Sequence, residues 1–449
     1  MTRAALLLLS AVLALSAQHW PAFRGPMASG VNDAADPPVR WNGETGENIA
    51  WKTPLPGIST SSPAVWGKRV FAVTSISADP KAVFRHGLYG DVEPSKDTAE
   101  HEWKIYCLDL DTGKILWERL AHKGVPKVKR HPKSSFSSPS PVTDGQRVIA
   151  WFGSEGVYAW DMDGKPLWKR ETGVLDQGWF FDPDYQWGAA SSPMLWNGML
   201  FLQADQQQNS WLAAWDAATG KELWRVQRDE IPGWATPVVL EHNGEAQLVT
   251  NSVKRIRGHD PLTGKLLWEL GGNSEITVTT PILAGQLIFV ANGYPPIQPI
   301  YAIKWGARGD ITLKEGEEAN AGLAWSKKRG GPYMPTPLAY GDLLYICSNN
   351  GILTGYRIAD GERVFQERVA GKGGAFSASP VAARGRLYLA SEDGEVHVLA
   401  AGSQPKTLAS NPMGEVLMAT PALVGETIIV RGMKHVFAIR APRAKPAAD

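Results

Sequence analysis

Short apolar runs alternate with turn residues along most of the chain, and the alternation has a long period. Each unit opens on Ser or Thr before Pro, followed by an apolar run, a Gly-containing turn and a second apolar run. A third run leads to a Thr-Gly or Asp-Gly turn, and a fourth carries Trp. Residues 192–224 show the pattern clearly. Ser192-Pro193 opens the unit, and Asn197-Gly198 is a two-residue hairpin turn. Met199–Ala204 and Trp211–Asp216 read as the second and third strands, Thr219-Gly220 turns the chain, and the fourth strand bears Trp224. Runs of this length, bounded by Gly, Pro, Asn and Asp, are strand signals.

The opening prolines are Pro63, Pro141, Pro193, Pro237, Pro281, Pro337, Pro380 and Pro421, spaced by 78, 52, 44, 44, 56, 43 and 41 residues. Most intervals are the length of one four-stranded propeller blade. The long first interval holds a polar insertion, Ser77 to Glu102, read as a surface excursion with a lid or partner-binding loop as alternatives. A second insertion spans Arg308 to Gly322. The fourth-strand ring recurs as Trp117, Trp168, Trp224, Trp268 and Trp325, with Phe365 in the sixth unit and a degenerate seventh. The eighth unit ends at Arg440 after three strands. Asn48 to Leu55, with Trp51, reads as its missing fourth strand at the other end of the chain, and pairing the two closes a ring without a free edge. The expected fold is therefore all-β, an eight-bladed β-propeller of four-stranded antiparallel blades closed by the N-terminal strand, one domain over residues 48–440. The tryptophans are assigned to the wedges between blades. Asp111-Thr112-Gly113, Asp163-Gly164, Thr219-Gly220, Thr263-Gly264 and Asp360-Gly361 supply the positive φ that tight turns need. Asp161 and Asp163 lack the full calcium-loop pattern and are read as turn residues.

Composition narrows the function. With 46 Lys and Arg against 45 Asp and Glu, the net charge of +1 gives no reason to expect nucleic acid or an anionic membrane as partner. Arg3, the apolar run Ala4–Leu15 and the small residues Ser16 and Ala17 read as a secretory signal cleaved near Ala17. The run is too short for a bilayer core of about 30 Å. Residues 18–47 are an N-terminal extension and 441–449 a disordered tail. A periplasmic or secreted monomer is expected. Cys107 and Cys347 fall in the first and sixth units, too far apart to pair, and are expected to be buried free thiols.

The unit ending Asp-x-x-Thr-Gly-Lys-x-x-Trp resembles the pyrroloquinoline quinone (PQQ) type propeller repeat. Leu110–Lys114 through Trp117, Asp216 through Trp224 and Asp260 through Trp268 carry the likeness, which covers residues 48 to 440. That family includes quinoprotein dehydrogenases, with PQQ and calcium on the propeller axis, and a non-enzymatic lipoprotein of outer-membrane assembly. This chain has no adjacent Cys-Cys pair, no Cys-x-x-Cys-His haem site and no Cys after its apolar N-terminal run. The segment Trp20-Pro21-Ala22-Phe23-Arg24-Gly25 and the long first insertion resemble a third, exported bacterial group, a resemblance that implies no established activity.

In a propeller the loops leading into the innermost strands meet around one mouth, where function concentrates. These loops hold the candidate ligand-binding residues: His131 and Lys133 before the second unit; Trp179, Asp182, Asp184, Tyr185 and Trp187 before the third; Trp234 before the fourth; Asn273 and Glu275 before the fifth; Arg329 and Tyr333 before the sixth; Lys372 and Phe376 before the seventh; and Glu415 before the eighth. Aromatic rings with a few converging charges suit a small polar ligand. The preferred reading is a binding or protein-interaction module, without an assigned catalytic residue, metal or cofactor. One alternative is a PQQ- and calcium-dependent dehydrogenase of an alcohol or sugar, with Trp187 or Trp234 stacked on the quinone, Arg329 or Lys372 on its carboxylates and His131 or a carboxylate as base. The other is an assembly scaffold. No GxSxG, HExxH or phosphate-binding loop occurs.

Overall fold

The computed structural model describes residues 19–87, 92–369 and 374–442. The expected signal sequence and residues 443–449 of the tail lie outside them. Eight antiparallel sheets form a ring of blades. Their innermost strands are Ala64–Trp66, Val142–Thr143, Met194–Trp196, Val238–His242, Ile282–Ala284, Leu338–Tyr340, Val381–Ala383 and Ala422–Val424. Each begins on the residue after one of the eight prolines. Proline has no N–H to give to a sheet, so it sits where the chain enters the strand. The last blade is closed as its residues imply: Ile49–Pro54 pairs antiparallel with His435–Ile439.

The outer-strand ring and the turn of the next blade form one device. Trp51, Trp117, Trp168, Trp224 and Trp325 each donate Nε1–H to a backbone carbonyl at the following blade's last turn, those of Leu110, Met162, Ala217, Pro261 and Ile358, at 2.9–3.1 Å. Beneath each indole lies the turn glycine. A Cβ on Gly220 would come 2.7 Å from Trp168. Opposite each ring on the third strand stands a small residue: Ala438, Cys107, Ala159, Ala214, Gly258, Ala302 or Gly355. In the seventh blade the sizes reverse, and Val398 faces Ala409. Both cysteines are buried and unpaired.

Three features depart from the simplest reading. Trp268 does not reach a following turn, because the fifth blade's last turn is replaced by the second insertion; its Nε1 bonds Gln247 Oε1 within its own blade. That insertion adds Gly309–Asp310 as a fifth, parallel strand beside Leu266–Leu270. The first insertion is not a free excursion. Arg85 N donates to Pro132 O and Ser95 N to Arg130 O, while Gly87 N donates to Glu392 Oε2 of the seventh blade. Its described parts therefore lie over the channel mouth.

Candidate functional site

The residues before the prolines are Ser62, Ser140, Ser192, Thr236, Thr280, Thr336, Ser379 and Thr420, and all but Thr280 line the channel. Their backbones and side chains form a girdle. The N–H of one blade's residue donates to the hydroxyl oxygen of the next, at 2.9–3.0 Å, around seven of the eight seams among the described residues. The seam from Thr236 to Thr280 is unlinked, and Thr280 Oγ1 is buried with no partner among the described residues.

The far end of the channel is stopped by the N-terminal segment. Phe23 lines the channel. Arg24 is fully buried and spends its donors on five carbonyls: Ala28, Ser29, Thr336, Pro337 and Pro380. Burial lowers its pKa to about 9. Phe23 thus brings the N-terminal segment into the channel lining, and Arg24, outside that lining, anchors the segment to the sixth and seventh blades.

At that mouth lies a cavity of about 110 Å³, lined by His131, Lys133, Trp187, Trp234, Ile276, Val278, Tyr333 and Met334, with Ser134 and Ala190. These residues come from the loops leading into five successive blades, the second to the sixth. Trp187 and Trp234 stand 5.7 Å apart, centroid to centroid. Each is pinned by its indole N–H, Trp234 to Gly188 O at 2.8 Å and Trp187 to Val92 O at 3.3 Å. His131 meets the edge of Trp187, and its Nδ1 accepts the N–H of Lys133 at 3.0 Å, which leaves the neutral ring's proton on Nε2. Lys133 reaches across to Glu392 of the seventh blade, 2.7 Å away, with the two side chains 4% and 0% exposed. Burial lowers the Lys133 pKa, and the Glu392 carboxylate opposes that shift. Glu392 also accepts Ser377 Oγ and Gly87 N.

The other candidates are placed elsewhere. Trp179 and Tyr185 are partly buried and pack around the Trp187–Trp234 cluster without lining the cavity. Asp182 caps its own loop by accepting Asp184 N, and Asp184 is exposed. Asn273 is held in a buried amide network with Asn251 and Asn292. Glu275 is half-buried outside the cavity lining, and Arg329 is exposed. Phe376 is wholly buried between the sixth and seventh blades, against Gly351 and His397. Glu415 turns away from the mouth to bond His435 Nδ1 at 2.7 Å and the N–H groups of Lys434 and His435, fixing the start of the eighth blade's third strand. Lys372 lies outside the described residues. Sequence reasoning missed Glu392, Ile276, Val278 and Met334. Glu392 follows the second strand of its blade, in a loop that reaches the same end of the propeller as the lead-in loops.

The donor set does not fit the quinone and its calcium. No carboxylate lines the mouth cavity, and no cluster of three metal-ligating side chains occurs among the described residues. Hard cations need several oxygen ligands. The lining cation, Lys133, is already matched by Glu392.

The fold and its axis define the class, an eight-bladed propeller built of quinone-type repeats. Residues 101–306 and 274–442 match the family described as outer membrane protein assembly factor BamB, and the chain belongs to this PQQ-like repeat family. No curated protein matches the chain. Among solved structures, BamB from Moraxella catarrhalis is 13% identical, with 84% of this chain and 99% of that chain covered and a TM-score of 0.54. Quinohemoprotein alcohol dehydrogenase from Comamonas testosteroni is 12% identical, with 98% and 83% covered and a TM-score of 0.59. These likenesses concern the fold. No helix among the described residues is long and apolar enough to cross a membrane.

Proposed function

We propose that the protein is an exported binding module whose mouth cavity holds a small ligand with an apolar body and a polar group. The observation that carries this reading is convergence: the loops leading into five successive blades bring Trp187, Trp234 and Tyr333 together with His131 and Lys133 on one cavity. The indoles offer flat faces, and the His131 ring and the Lys133–Glu392 pair give the cavity its polar side. Rigid strands beneath the loops hold this arrangement in advance, which lowers the ordering cost of binding. The reading is tested with the purified exported chain and a panel of small metabolites, following Trp fluorescence and melting temperature. A ligand that binds the folded state must stabilise it. His131→Gln is expected to weaken the hit about tenfold, the scale of one lost hydrogen bond to a polar ligand group, with little change in the melting point of the free protein. Titration with PQQ and calcium is expected to leave both signals unchanged, and saturable, calcium-dependent quenching would return the dehydrogenase reading.

A second reading, docking of an exported protein, is favoured by Phe181. Its ring is 64% exposed on the loop leading into the third blade, against Trp179 and Phe180. The family's description as an assembly factor accords with it. Phe181→Ser is expected to abolish capture of such a partner while leaving small-ligand binding intact.

A further inference from the structure

The channel continues below the mouth cavity, and we propose that it binds a small tetrahedral oxyanion, of the sulfate or phosphate class, on the hydroxyl girdle. The argument starts from the direction of the hydrogen bonds. Seven girdle hydroxyls each accept a backbone N–H from the preceding blade. That bond occupies an oxygen lone pair and leaves the hydroxyl proton to be given elsewhere. Among the described residues no acceptor takes those protons, and all seven side chains line the channel. The girdle is therefore a ring of donors turned on one axis, and a ring of donors selects an acceptor-rich guest.

Charge points the same way. No Asp or Glu lines the channel. Lys133 at the top is matched by Glu392. Arg24, next in the chain to Phe23 of the lining, is wholly buried and matched by no carboxylate among the described residues. Its five partners are neutral carbonyls, three of them at Thr336, Pro337 and Pro380, where the sixth and seventh blades carry girdle hydroxyls. A buried charge without a counter-charge is costly, and an anion in the channel beside Phe23 would offset part of that cost. A metal cation would meet the opposite field and oxygens already engaged by N–H groups. The channel has about 150 Å³, enough for one tetrahedral oxyanion and a few waters. The channel shares Lys133, Ser134, Ala190, Trp234, Val278 and Met334 with the mouth cavity, but the girdle hydroxyls belong to the channel alone, and the proposal rests on them.

The test is a crystal of the exported chain soaked in selenate, with the anomalous signal locating the anion, alongside calorimetric titration with sulfate and phosphate. Concentrations are kept below about 10 mM, where general salting effects on stability are small. The expected result is selenium on the axis at the level of the girdle. Thr336→Val and Thr420→Val replace a donor by a methyl of the same shape, and each is expected to weaken sulfate about tenfold or more, the scale of one hydrogen bond to a charged group. Selenate absent from the axis, a metal cation in its place, or unchanged sulfate affinity in both variants would overturn the proposal. The soak of the unsubstituted protein decides the matter even where a variant fails to fold.

Discussion

His259, at the end of the fourth blade's third strand, shows what burial does to a single titrating side chain. Its Nδ1 meets Gly264 O at 3.0 Å, while Nε2 is buried without a partner among the described residues. Burial, reinforced by the nearby charges of Arg228 and Arg257, lowers its pKa to about 3 from the ordinary 6.5. Between those values the unfolded chain holds a proton on this ring and the folded one does not. Stability from this group is complete above pH 6.5 and falls as the pH drops toward 3, by about 1.4 kcal/mol per pH unit. Glu230 nearby works in the opposite sense, since burial raises its carboxyl and the folded state takes up that proton first. The difference between the native protein and His259→Gln isolates the histidine. The prediction is that melting temperature declines less steeply between pH 6 and pH 4 in the variant, with the two profiles parallel above pH 7. Parallel profiles throughout would mean that this ring does not stay neutral in the folded protein.

At the scale of the element, the indole-on-glycine contact is the unit of assembly between blades. Gly220 has φ +68°, and an added Cβ would strike the Trp168 ring at 2.7 Å. Gly198, in the hairpin turn of the same blade, has φ +73° and open space around it. Gly198→Ala therefore meets only the left-handed backbone penalty, about 1 kcal/mol. Gly220→Ala meets that and a displaced indole, for a loss of about 2–4 kcal/mol. Urea unfolding followed by Trp fluorescence should rank Gly220→Ala well below Gly198→Ala, and equal midpoints would deny the Trp168 contact its structural weight. Both halves of this contact stand in the sequence, as Trp168 and as Thr219-Gly220, because strand period, turn chemistry and repeat length are local properties. Their meeting across two blades is not local, and only the ring brings it about. The site was legible to the same degree. Trp187, Trp234 and Tyr333 precede opening prolines and line the mouth, yet Phe376 and Glu415 hold equivalent positions and do not. Which side of a lead-in loop faces the axis depends on how the loop packs, as when Glu415 is drawn off by His435. Ser or Thr before each proline was visible as a repeat, but the girdle exists only when eight strands converge.

On the scale of the whole molecule the ring is closed twice. The strand Ile49–Pro54 completes the eighth blade, and the segment before it crosses the floor of the channel and touches blade after blade. His19 and Trp20 pair with Trp66 and Val65 of the first blade. Pro21 O accepts Thr143 N of the second, Asn32 N donates to Ala382 O of the seventh, and Asn32 Nδ2 donates to Leu423 O of the eighth. Arg24 ties the sixth blade to the seventh through Thr336, Pro337 and Pro380. A ring of similar blades fails at its weakest seam, so a segment that spans many seams adds cooperativity beyond the sum of its contacts. Arg24→Ala removes five donors and leaves buried carbonyls unsatisfied, with an expected loss of about 3–5 kcal/mol. Arg24→Lys keeps the charge and three donors on a narrower head, so it should fall between the two. Differential scanning calorimetry separates a uniform loss from a loss of cooperativity. One transition shifted to lower temperature would mean that Arg24 only adds stability. A transition that broadens or splits would mean that the N-terminal segment holds the blades together as one folding unit, and an Arg24→Ala protein that melts like the native chain would remove the floor of the channel from any such role.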